Sequence, residues 1–335
     1  MFCKKCGFKL KEEDTKCPFC NHEVGKEIAK ARIETVKEQK NVVYQEYKNP
    51  FEKADETKCS NIRQSNGYVK LKTSWWHHAL IAAGGYLLMN VLYTILSIVV
   101  VAFYQANGYD FSCMVEGYDA CPTEVATAYI KASAVSQLIS ELIIVVVVAL
   151  IFIKFIKHFF KEFKDKKTWK WFGLSFAMMF GSNYVYSIIL TILAAFGINP
   201  EVNANQSAVN DIIFGSPLLG FVFVVIAAPL FEEIIFRFGV FRCFVAKDNK
   251  KTGIIGLIVT TILFAGIHMV STFTSAITAE GINWALIGND MLSLPTYLIG
   301  AFFLTFGYYK SKNLLTPILM HMAWNLISFV AGFIA

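Results

Sequence analysis

Seven stretches of this chain are apolar for the length that a helix needs to cross a bilayer. They fall at about 79–104, 132–153, 172–196, 215–236, 253–271, 291–309 and 314–334. Nothing else narrows the fold as far. Inside lipid every backbone N–H and C=O must be satisfied within the protein, and for runs of this length that means helices. The expected fold is an all-α integral membrane bundle of about seven transmembrane helices. Hydrophobic residues make up 55% of the chain, too many for an ordinary soluble protein of this size.

The segments between the runs alternate in charge. Residues 105–131 carry Asp110, Glu116, Asp119 and Glu124 against Lys131. Residues 154–171 carry Lys154, Lys157, Lys161, Lys164, Lys166, Lys167 and Lys170. Residues 197–214 contain Glu201 and Asp211 and no Lys or Arg, whereas 237–252 contain Arg237, Arg242, Lys247, Lys250 and Lys251. Residues 272–290 again lack Lys and Arg, and Lys310 and Lys312 follow. Cytoplasmic loops retain the positive charge, so the expected topology is a multi-pass protein of the cell membrane, N-terminus in the cytoplasm and C-terminus outside. The net charge of +6 is then a consequence of topology, and no nucleic-acid partner is expected. Cys113 and Cys121 fall in the first outer loop, where an oxidising exterior permits a disulfide; the sequence leaves that pairing open.

A polar head precedes the spans. Residues 1–24 hold two Cys-x-x-Cys knuckles, Cys3/Cys6 and Cys17/Cys20, the spacing of a closed tetrahedral Zn²⁺ site. The segment resembles a zinc ribbon. So short a segment has little core, and the structural metal would supply most of its folding free energy. Such ribbons commonly dock proteins, so a cytoplasmic protein partner is expected here. Residues 25–74 read as a polar linker containing a charged helix over 26–47, and the membrane domain as 75–335. Trp75, Trp76, His77 and His78 read as a headgroup-level anchor. Ala83–Gly85 is a small-residue patch suited to close helix approach.

The fourth run places Glu232 and Glu233 inside apolar sequence, where a charge costs roughly 2.5–3.5 kcal/mol on insertion scales. Glu233 and Arg237 are i, i+4 and share a helix face, which predicts an ion pair. Glu232 is turned about 100° away and is the freer carboxylate, placed to hold a water. Pro229 lies one turn earlier and removes a backbone donor. His268 is the titratable group of the fifth run, and His321 and Asn325 share a face of the seventh. The second run contributes Glu141. With the fourth span ending near 236, Glu232 falls close to the inner face, and His268, about 15 residues into its own span, misses it by several ångströms.

Glu-Glu-x-x-x-Arg at 232–237, Phe-x-x-x-His at 264–268 and His-x-x-x-Asn at 321–325 occur in that order on three spans. Together they resemble the signature motifs of the CPBP family, the CAAX-prenyl-protease and bacteriocin-processing (Abi) intramembrane endopeptidases, over residues 170–334. Phe238 departs from the pattern by standing where family members have Gly. The resemblance implies a helical membrane peptidase with a cavity open toward one leaflet and a membrane-associated protein or peptide as substrate. It implies that Glu232 activates water with help from His268. Glu233 would hold Arg237, and His321 and Asn325 would orient the water or stabilise the oxyanion. A catalytic Zn²⁺ at Glu232, His268 and His321 is compatible with the same residues, as is a metal-free mechanism. Two other readings compete. One is a non-proteolytic scaffold or immunity protein of the same fold. The other is a transporter, which Glu141 would favour.

Overall fold

A computed structural model describes residues 16, 17, 20, 23, 68, 71, 73–115, 120–153, 156, 160, 163–198, 201–246, 251–278 and 281–334. The chain divides into two compact units, Met1–Ile62 and Arg63–Ala335. In the first, Lys16 and Glu23 form an antiparallel bridge and an exposed ion pair at 3.4 Å, bracketing Cys17 and Cys20. Cys17 is buried and Cys20 half-buried. Cys3, Cys6 and the expected charged helix lie outside the described residues.

The second unit is a helical bundle, and the chain is a multi-pass membrane protein. Among the described residues six helices are long and apolar enough to span: α1 Trp75–Ala106, α2 Thr123–Ile151, α3 Lys166–Ala195, α5 Pro217–Val245, α6 Thr252–Ala276 and α9 Leu315–Gly332. Two more helices, α7, Trp284–Met291, and α8, Leu294–Ser311, meet at a 41° bend and together have the length and composition of a seventh. A short helix, α4 (Ala204–Gly215), precedes α5, and a two-residue hairpin, β1 Ile277–Thr278 with β2 Gly281–Ile282, precedes α7. Short polar side chains set the starts. Asp165, Asn203 and Asn283 each accept a backbone N–H from the first turn of α3, α4 and α7. Lys312, at φ 64°, ends α8 in the left-handed conformation.

Helix α5 is the centre of the bundle. Half of its most apolar window is buried, against 6% for α1, which faces outward. It packs against α1, α2, α6, α8 and α9. Its winding departs from 3.6 residues per turn on either side of the acidic pair, in π-helical stretches over Phe221–Ala227 and Ile234–Phe241. Pro229 lacks the N–H that would continue a regular ladder, so a distortion before it has a covalent cause.

Two boundaries differ from the sequence expectation. Helix α5 runs on to Val245 rather than ending near 236. Arg237 and Arg242 mark an interface by composition, yet both are buried because partners meet them in the bundle. The membrane unit also begins earlier than Trp75. Tyr68 is fully buried, edge-on to Tyr308, and accepts a 3.2 Å hydrogen bond from Lys312 Nζ. His78 does not sit at headgroup level. It is fully buried, with Nδ1 donating to Phe238 O at 2.9 Å and Nε2 3.0 Å from Thr73 Oγ1. The small-residue patch does bring helices together at Gly85, where a Cβ would stand 2.9 Å from Ile235 Cδ1, and the approach extends to Ala82 just before the patch. A Cβ on Gly239 would stand 2.9 Å from Ala82 Cβ and 3.1 Å from its backbone. Cys113 and Cys121 form a disulfide.

Candidate active site

Glu233 and Arg237 face the same side of α5 and pair at 2.7 Å with no exposure to solvent. Arg237 Nη2 donates to Ala301 O on α8 at 3.1 Å, and its guanidinium lies 4.5 Å over the Phe264 ring. A buried cation is thus held by a carboxylate, a carbonyl and an aromatic face. Phe264 stands between Arg237 and the imidazoles, with ring centroids 4.6 Å from His268 and 5.9 Å from His321.

Both histidines are fixed by their second nitrogen. Helix α6 breaks at His268 and Met269, and His268 Nδ1 donates back to Phe264 O at 2.8 Å. His321 Nδ1 donates to Glu233 Oε1 at 2.9 Å. A carbonyl and a salt-bridged carboxylate only accept, so each Nδ1 carries a proton and each ring presents Nε2 to the cavity. Those Nε2 atoms face one target. His268 Nε2 is 4.0 Å from Glu232 Oε1 and His321 Nε2 is 3.7 Å from Glu232 Oε2. Both gaps exceed a direct hydrogen bond and suit a group placed between.

The expected mismatch in depth between Glu232 and His268 therefore does not occur. Extension of α5 to Val245 moves Glu232 toward mid-span, and the break in α6 brings His268 in to meet it. The site residues Glu232, Glu233, Arg237, His268 and His321 lie together. Asn325 lines the same cavity and donates to Val224 O at 2.8 Å, in the π-helical stretch of α5.

The cavity holds about 410 Å³. It also receives residues that the motifs omit. Glu141, 3% exposed, enters from α2 with Oε1 held by Gln137 Nε2 at 3.1 Å and Oε2 unpartnered. Its position inside an apolar run singled it out in the sequence, but nothing there tied it to Glu232. Tyr297 stacks obliquely on His268 at 4.7 Å. Its hydroxyl donates to Asn203 Oδ1 and accepts from Asn205 Nδ2, both at 3.1 Å. These neutral residues carry no sequence signal.

Tetrahedral zinc ligands at roughly 2.0–2.1 Å would stand about 3.3 Å apart. The Glu232 contacts are wider, and among the described residues no group of three or more His, Cys, Asp or Glu is arranged to hold a metal.

Residues 214–327, which carry all three motifs, match the family described as type II CAAX prenyl endopeptidase Rce1-like. That segment, about a third of the chain, is similar to this Rce1-like family. Among its relatives, UPF0177 protein YvdC of Lactococcus lactis subsp. lactis (strain IL1403) is 25% identical over 170 residues, 50% of this chain and 57% of that protein. Membrane-embedded CAAX protease MroQ of Staphylococcus aureus (strain USA300) is 31% identical over 167 residues, 49% of this chain and 59% of that protein. The match thus spans little more than half the length of either relative. No solved structure matches at comparable significance. Glu141 lies outside the Rce1-like segment.

Proposed function

We propose that the chain is an intramembrane endopeptidase that hydrolyses a peptide bond of a membrane-associated protein or peptide. The observation that carries this reading is the convergence of Glu232, His268 and His321, from three separate spans, on one gap at the floor of a cavity. The gaps of 3.7 and 4.0 Å between the two Nε2 atoms and the Glu232 oxygens leave room for one water. A water there gives its protons to these acceptors and turns its own lone pair toward the cavity. Glu232 takes the proton as water attacks the scissile carbonyl, and His268 and His321 orient that water. Glu233 and Arg237 brace the site by fixing His321. Asn325 lines the wall as a candidate oxyanion donor. The match of residues 214–327 to a family described as endopeptidases and the likeness to MroQ support the reading.

Proteoliposomes carrying the full chain or Glu232→Gln, given leader-type and prenylated CAAX-type fluorogenic peptides, test it. Loss of a general base predicts a fall of about 10²–10⁴-fold in cleavage with unchanged folding. Equal cleavage by both proteins would refute the role of Glu232. No cleavage by either would favour a scaffold or immunity protein of the same fold. Glutamate-dependent proton uptake without cleavage would favour transport, for which Glu141 is the supporting feature. Zinc chelation during the assay reads out metal dependence directly.

The N-terminal knuckles fit a structural zinc ribbon by their cysteine spacing, and the ribbon is proposed to dock a cytoplasmic protein.

A further inference from the structure

The cavity has a direction. Its lining runs from Glu141, Glu232, Leu304 and His321 at mid-span to Asn210 and Gly332 at one end of the bundle. The other end is filled. Arg237, Arg242, Phe238, Phe241, Tyr308 and Met320 are all buried there. The open end carries the segments joining α1 to α2, α3 to α5, and α6 to α8. None of residues 105–122, 196–216 or 277–293 is Lys or Arg. The filled end carries Lys164, Lys166, Lys251, Lys310 and Lys312. The side that retains Lys and Arg is cytoplasmic, so the mouth faces outward. The Cys113–Cys121 disulfide gives a second cue, because it lies at the mouth end and such bonds persist in an oxidising compartment.

The mouth also has a chemistry. Asn203, Asn205, Gln206 and Asn210, at and along α4, present amides that both donate and accept, as an extended peptide backbone requires. Deeper in, the acidic lining residues are Glu141 and Glu232. Among the described lining residues no Lys or Arg is present to receive an anion. A free α-carboxylate close to the scissile bond would meet like charge in an apolar setting and find no cation.

We propose that the site is loaded from the outer face of the membrane. Its substrate is an internal, non-acidic stretch of extended peptide, not a C-terminal motif that brings its own carboxylate. The substrate half of this inference rests on the peptidase reading; the direction of access does not.

Access is tested in intact cells with a small, cationic, membrane-impermeant methanethiosulfonate on Ala228→Cys, deep in the cavity, and on Ser328→Cys, nearer the mouth. Modification is read as blocked biotin-maleimide labelling after lysis, against wild-type background. Lys164→Cys, at the filled end, reports the opposite side. The expected result is that either cavity cysteine reacts from outside at least tenfold faster than Lys164→Cys, which reacts only after permeabilisation. Reaction of the cavity cysteines only after permeabilisation would overturn outward access. The second arm offers one fluorogenic peptide set to the full chain in proteoliposomes, as free acids and as C-terminal amides. Amides cut at least tenfold faster support the substrate class, and faster cutting of the acids overturns it. Outside labelling without cleavage of any peptide would defeat the peptidase reading and leave the access direction standing.

Discussion

Removing the charge of Glu233 tests whether the buried pair braces the site. Glu233→Gln keeps the shape and leaves an amide oxygen to accept from His321 Nδ1. It strips Arg237 of its counter-ion in a place with no solvent, leaving only Ala301 O and the Phe264 ring as partners. Breaking a buried pair from one side costs about 3–5 kcal/mol, a factor on the order of a hundred to several thousand in the folded population. Arg237→Met should cost a similar amount, by leaving a buried carboxylate with His321 alone. The double variant removes both charges together and keeps the acceptor for His321. Glu233 Oε2 and Arg237 Nε have no partner even in the intact protein, so the native pair is not saturated. The double variant should therefore be less destabilised than the two singles added together, by roughly 2–3 kcal/mol. The assay is equilibrium unfolding in mixed micelles, followed by helical circular dichroism for all four proteins of the cycle. Additivity to within about 0.5 kcal/mol would show that the residues do not act as a pair, and the bracing argument would fall.

Three further outcomes are expected. Gly239→Ala places a methyl against the backbone of Ala82 and should destabilise by about 1–3 kcal/mol, while Gly181→Ala on α3, with nothing within 4 Å, should stabilise by about 0.5–1 kcal/mol; thermal unfolding of the two variants separates them. His321→Ala should lower cleavage by about 10²-fold or more and His268→Ala likewise, with kcat falling rather than KM rising, since both face the water-holding gap instead of the peptide path. Metal analysis of the purified chain should find zinc that is lost on Cys3→Ser with Cys6→Ser and retained in Glu232→Gln; zinc lost with Glu232→Gln instead would place the metal at the membrane site.

The spans were legible because hydropathy alone dictates a helix in lipid, and the acidic pair because a charge there demands a partner. The i, i+4 spacing was enough to foresee which glutamate binds Arg237. Charge in this chain is not a sign of water. By composition Arg237 and Arg242 end the fourth span and His78 lies among headgroups, because the sequence does not show which distant groups receive them. Tyr308, Ala301 and Phe264 do so for the arginines, and Phe238 O for the histidine. The amide mouth was invisible for the opposite reason. Asn203, Asn205 and Tyr297 are ordinary in a polar connection, and only the fold lays α4 beside the imidazoles. The two π-helical stretches left no trace beyond Pro229.

The bond from His78 to Phe238 O has a practical corollary for anyone building chimeras of this chain. That carbonyl lies in the π-helical stretch of α5, and the imidazole that bonds it comes from the first turn of α1, steadied by Thr73. With Tyr68 seated on Tyr308 as well, the grafting point for a different head lies upstream of Tyr68, and a junction placed at the first tryptophan would take Thr73 from His78 Nε2 and the Tyr68 ring from Tyr308.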